Sequence, residues 1–177
     1  MEHKKETTAP IINRVANSGL KVINLENYFP SQTIVPFDLK AYLFKELILN
    51  EKDFRAALRE IDWTAYKDQI VTVYNSNDAI IPVWAYMLVS NYLVDHATFV
   101  FQGTSEEYLK FYYQNVIGEM DGADYEDERV VIKGCSNKPV PPSAYAAITA
   151  LIKPHARSIM YGEPCSTVPI YKRPRKI

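Results

Sequence analysis

The sequence predicts an α/β fold: a mostly parallel sheet built from two β-α-β repeats, with an N-terminal helical and extended-strand extension. Three observations carry that prediction. The chain aligns with itself without a gap at an offset of 59 residues, short runs rich in β-branched residues alternate with helix-length apolar segments, and prolines stand where helices begin. Residues 61–103 lie over residues 120–162, and ten of the 43 pairs are identical, among them Asp62/Asp121, Asp68/Asp127, Pro82/Pro141, Tyr86/Tyr145, His96/His155 and Gly103/Gly162. Chance at ordinary residue frequencies gives roughly two or three. Convergence of two similar α/β units is the alternative to duplication.

With 177 residues, 47% hydrophobic and 23% charged, the chain is large enough to bury a core and reads as a single domain over residues 10–172. Residues 1–9 are polar and predicted mobile, and residues 173–177 form a basic tail. A net charge of −1 gives no general reason to bind nucleic acid or a membrane surface. The tail YKRPRKI reads as solubilising. No signal-like apolar run opens the chain, and the most hydrophobic segment, 79–94, carries Pro82 and Asn91 and is shorter than the ~20 residues a spanning helix needs. The expected location is therefore cytoplasmic, where two cysteines are free thiols more often than a structural disulfide.

Taken in order, residues 10–17 suit a short helix stopped by Gly19, and 20–25 (LKVINL) alternates like a strand. Pro30 and Pro36 demote the next segment to an extended or edge strand around 33–35. Asp38 can cap a helix over 39–47, and Asn50 one over 51–60, where Phe54, Ala57, Leu58 and Ile61 share a face. The first repeat follows: strand Ile70–Tyr74, helix from Pro82, apolar almost all round and so expected deep in the core, and return strand Phe99–Gln102. Thr104 or Ser105 caps a helix over 106–118. The second repeat offers a strand over 130–133, a helix from Pro141 and Pro142, and a return strand over 158–161. Tyrosines that recur between the repeats read as packing residues.

Strands alternating with helices imply parallel pairing by right-handed crossovers, so the four repeat strands are expected in one sheet. Loops 75–81, 103–106, 134–140 and 162–168 would then gather at its carboxyl edge, where open α/β sheets bind ligands. Cys135 and Cys165 follow the third and fourth strands. Neighbouring strands would bring these thiols together as a redox pair or as two ligands to a soft metal, with zinc or iron the candidates. Two unrelated thiols are the competing reading. Asn77, Asp78, Ser136, Asn137, Glu163 and Thr167 are the polar loop residues suited to a small polar ligand. His96 and His155 precede return strands, hence belong to the opposite edge and cannot join the thiols. No phosphate loop, GxGxxG, GxSxG or HExxH is present, and no arginine follows Cys135 at phosphatase-loop spacing.

The segments IINRVANSGL, FDLKAYLF, LILNEKDFR, DAIIPVWAYM, VIKGCSNKPVP and SIMYGEPCSTVPIYKR together resemble the bacterial domain-of-unknown-function family 2480 over nearly the whole chain. The resemblance implies no established activity. It implies an association with iron–sulfur cluster assembly, in line with a metal or thiol role for the two cysteines. The alternatives are a non-catalytic binding or assembly module with incidental cysteines, engaging a protein partner, and an enzyme acting on a small polar metabolite through Asp78, Asn137 and Ser136.

Overall fold

The computed structural model describes residues 19–134 and 137–174. The predicted helix 10–17, Cys135, Ser136 and the last three residues of the basic tail lie outside the described residues. In chain order the elements are β1 (Leu20–Asn24), β2 (Ile34–Asp38), α1 (Glu51–Arg59), β3 (Ile70–Tyr74), α2 (Val83–Leu93), β4 (Phe99–Gln102), α3 (Ser105–Gly118), β5 (Arg129–Lys133), α4 (Pro142–Ile152), β6 (Ser158–Glu163) and β7 (Ser166–Lys172), with short 3₁₀ turns between them.

The α/β class and both β-α-β repeats are present, but the strands form two sheets, β2-β3-β4 and β1-β5-β6-β7, instead of one. Each repeat completes its own sheet by taking one further parallel strand from the N-terminal region, which removes any need for the repeats to pair with each other. The registers match. Ile34, Ile70 and Phe99 form one row of the first sheet, while Leu20, Arg129 and Ser158 form the corresponding row of the second, so the offset of 59 holds for both repeat strands. Main-chain contacts group residues 28–119 into most of one compact unit, and the flanking segments make up the other.

In the first unit, Phe37, Leu39, Phe54, Leu58, Trp63 and Val71 belong to a buried cluster that α1 and α2 close with Ala85, Val89 and Leu93. Phe37 stacks between Tyr42 and Trp63, and Trp63 stacks on Tyr92 at 4.9 Å. Asn50 caps α1 by accepting from the N–H groups of Lys52 and Asp53. Asp38 does cap the residues after β2, yet they make only a 3₁₀ turn, Leu39–Tyr42. Leu43 is extended, and Lys45 and Glu46 have left-handed φ values of 48° and 60°, which no helix admits. Nor is α2 buried all round. Its Ala85, Val89 and Leu93 stripe meets the core, whereas Val83, Met87 and Val94 stay exposed, because a single sheet covers only one face of a helix.

The second unit buries Ile23, Leu25, Val130, Val131, Ile132 and Ile159, with Ile148 and Ile152 of α4. Residues 162–168, expected as a loop, are a hairpin: β6 runs on to Glu163, Pro164 and Cys165 turn the chain, and β7 returns antiparallel with Glu163 opposite Ser166. Gly162 allows the tight return, since its φ is 119° and a Cβ there would sit 2.6 Å from the Ser166 carbonyl. Pro169 is tolerated because β7 is an edge strand, as Pro36 is on β2.

Candidate functional site

Because the strands divide between two sheets, the predicted loop residues divide between two carboxyl edges. Asn77 and Asp78 follow β3 of the three-stranded sheet. Asn137 follows β5, and Glu163, Cys165 and Thr167 belong to the hairpin after β6, all in the four-stranded sheet. The single cluster expected from one sheet is thereby corrected to two sets.

At the first edge most polar groups hold the loop itself. The Asn75 amide donates to the Asn77 carbonyl, the Asn77 side-chain oxygen and the Ala79 carbonyl at 2.9, 2.8 and 3.0 Å. Asn77 in turn donates to the Glu46 carbonyl at 2.6 Å. Asp38 accepts from the N–H groups of Lys40 and Ser76 at 2.9 and 3.1 Å. Burial pushes its carboxyl up, but hydrogen bonding from the Ser76 side chain, then from the backbone of Lys40 and Ser76, and the Lys40 charge together outweigh that and hold it below the ordinary range. Asp78 is exposed and makes no side-chain hydrogen bond or ion pair among the described residues.

The second edge is organised around one ion pair and one carboxylate that accepts from backbone N–H groups. Lys133, the last residue of β5, reaches both carboxylate oxygens of Glu163 on the neighbouring strand, at 3.1 and 3.0 Å. Glu26 accepts from the backbone N–H groups of Asn137 and Lys138 at 2.7 and 3.4 Å and so fixes the far side of the loop after β5. On the near side Gly134 has a φ of 136°, and a Cβ there would approach the backbone nitrogens of Leu25 and Glu26 to 3.0 Å. Gly134 and Asn137 are thus both held by contacts to residues 25 and 26. Cys165 is exposed at the hairpin turn, and the Thr167 hydroxyl donates to the Met160 sulfur at 3.7 Å. Among the described residues no group of three or more His, Cys, Asp and Glu side chains is placed to hold a metal ion.

Lys133 and Glu26 were not marked by any motif. Glu26 lies more than a hundred residues from its partners, and only the pairing of β1 with β5 connects them. The histidines behave as their position in the chain implied. The carbonyls of His96 and His155 accept from Asp68 and Asp127 just ahead of β3 and β5, and His155 Nδ1 is 3.0 Å from the Glu126 carboxylate, at the amino edge.

Fold and sequence together define an α/β protein made of two matching β-α-β units, each completed by an N-terminal strand. The chain belongs to the family described as Protein of unknown function (DUF2480), whose model matches residues 9–173. No curated protein and no solved structure matches it. No helix among the described residues is long and apolar enough to cross a membrane.

Proposed function

We propose that the carboxyl edge of the four-stranded sheet handles a soft metal or a thiol through Cys135 and Cys165, with Ser136, Asn137, Glu163 and Thr167 as its polar surroundings. The observation that supports this is the Lys133–Glu163 bridge. It ties together two strand ends, each two residues ahead of a cysteine in the chain. Two residues of extended chain span at most ~7 Å, so both thiols hang on short leads from one anchored point. Thiolates are the ligand type that zinc and iron prefer, and the remaining coordination positions would fall to solvent or an external thiol.

Metal analysis of protein purified without an affinity tag tests the metal form. Bound zinc or iron that is lost in a Cys135→Ser, Cys165→Ser variant supports it; equal and negligible metal in both sinks it. For the thiol form, the expected result is an intramolecular disulfide under mild oxidation, read by mass spectrometry after alkylation. Two freely alkylated cysteines under those conditions would exclude it.

A binding or assembly module is the second reading, favoured by a different observation. Ile80, Val83, Met87 and Val94 are 92, 74, 66 and 61% exposed along one side of α2 and its approach. Contiguous apolar surface of this kind marks association sites. On this reading Val83→Lys and Met87→Lys abolish partner binding while the double cysteine variant keeps it.

A further inference from the structure

The amino edges of the two sheets carry hollows at equivalent places, with opposite chemistry. In the three-stranded unit a hollow of about 390 Å³ is lined by Ile70, Thr98 and Phe99, with Tyr108, Phe111 and Tyr112 of α3 as its aromatic wall. In the four-stranded unit a hollow of about 400 Å³ has Arg129, Arg157 and Ser158 at the positions 59 residues on, joined by Tyr171, Lys172 and Arg173. One repeat therefore presents apolar groups where the other presents cations.

The register of the sheet creates this cluster. Arg129, Ser158 and Lys172 lie opposite one another on β5, β6 and β7, and the Arg173 N–H donates to the Arg157 carbonyl at 2.9 Å in the adjoining row. Arg173 is neutralised locally: its guanidinium lies 3.6 Å from Glu126 and 3.5 Å from Asp127, and also bonds the His155 carbonyl. Among the described residues Arg129, Arg157 and Lys172, all exposed, have no ion pair and no side-chain hydrogen bond. Arg129 on β5 and Lys172 on β7 flank Ser158 of β6, and Arg157 directly precedes it, so three cations gather at one end of the sheet in a protein of net charge −1 that has no general surplus of positive charge to explain them. An anion between them would offset that charge.

We propose that this hollow binds the phosphate group of a small organic phosphate. Guanidinium forks match phosphate oxygens two at a time, an ammonium adds a point charge, and the Ser158 hydroxyl supplies a further donor. The volume falls at the lower end of the range for small-molecule sites, roughly 300–1,000 Å³, and Met160 and Pro169 supply apolar lining for the organic portion. The site is separate in residues from the thiol edge and does not depend on that reading.

The test is calorimetric titration of the full chain with pyrophosphate in phosphate-free, low-salt buffer. Binding that weakens about tenfold or more in an Arg129→Gln, Arg157→Gln variant, and weakens as salt rises, is the expected result. No pyrophosphate binding, or equal binding by wild type and variant, overturns the proposal. Should the double variant fail to fold, Lys172→Gln on the edge strand carries the same test, and unchanged affinity there is equally fatal. The basic sequence continues past Lys172, so single-stranded oligothymidylate is run beside pyrophosphate. An oligonucleotide that binds without being displaced by pyrophosphate also overturns the proposal, in favour of a nucleic-acid surface.

Discussion

Asp68 and Asp127 stand 59 residues apart and adopt the same left-handed backbone, with φ values of 60° and 55°. Each sends its N–H to the carbonyl of the histidine ahead of the returning strand, at 3.3 Å to His96 and 3.0 Å to His155. Around them the pattern repeats in detail: Asp62 and Asp121 accept from the N–H groups of Thr64 and Ala123 at 3.0 and 2.8 Å. The recurrence of these residues is thus accounted for by one turn, built twice, that aims the chain into a parallel strand.

Aspartate tolerates left-handed φ better than most residues and a β-branched residue tolerates it worst. Asp68→Val is expected to destabilise the protein by about 1–2 kcal/mol, while Asp68→Gly leaves stability unchanged or slightly raised. Urea unfolding of both variants decides the matter; equal midpoints would show that the turn carries no conformational demand.

Helix α3 begins with a reciprocal cap. The Glu107 N–H donates to the Thr104 hydroxyl at 3.2 Å, and the Glu107 carboxylate accepts from the Thr104 N–H at 2.7 Å. The backbone N–H of Thr104 first, and its hydroxyl second, hold the Glu107 carboxyl below its ordinary value of 4.5. A carboxyl lowered in the folded state adds stability above its unfolded value, and that contribution is lost as pH falls through the folded one. Thr104→Ala should cost about 1 kcal/mol at neutral pH. Glu107→Gln should flatten the decline in melting temperature below pH 4.5, and a variant that declines as steeply as wild type would refute the assignment.

Gly134 and Gly103 provide a graded comparison. Both have a φ near 137°, at 136° and 138°. A Cβ at Gly134 meets backbone nitrogens of Leu25 and Glu26, whereas one at Gly103 meets the side chains of Phe101 and Glu107. Side chains can shift more readily than the backbone of the 3₁₀ turn Leu25–Tyr28 that follows β1. Both alanine variants pay for the backbone conformation, about 1–3 kcal/mol. Gly134→Ala should lose more stability than Gly103→Ala by thermal melting, and the reverse order would contradict the close approach at Leu25.

The Lys133–Glu163 pair leaves 28 and 52% of its side chains in solvent. Its coupling energy in a double-mutant cycle should therefore stay below about 1 kcal/mol and shrink with added salt. A substantially larger value would mean that the carboxyl edge is drier than its exposure indicates. At the expected small value the pair positions the two strand ends more than it stabilises them.

Much of the fold was legible because it is periodic or capped. The offset of 59 located the repeat strands, Asn50 and Thr104 marked helix starts, and Pro36 marked an edge strand. The division into two sheets was not, since it depends on β1 and β2, two short strands whose partners lie far along the chain. The hairpin at Pro164 and Cys165 escaped notice because its turn lacks the Asn-Gly or Gly-Gly signal. The basic hollow left a trace that alignment alone could have exposed: Ile70 becomes Arg129 and Thr98 becomes Arg157 between otherwise matching units.

Leu20 pairs with Arg129, so β1 and its neighbour are separated by the whole of β2, β3 and β4. During synthesis the three-stranded sheet has all its strands before β5 exists, and β1 must wait without a partner. Such a long closure delays pairing and leaves an open strand exposed to the wrong neighbour. The order of assembly is thus written into the topology: the inner unit first, and the outer one only after the chain has come back to meet its beginning.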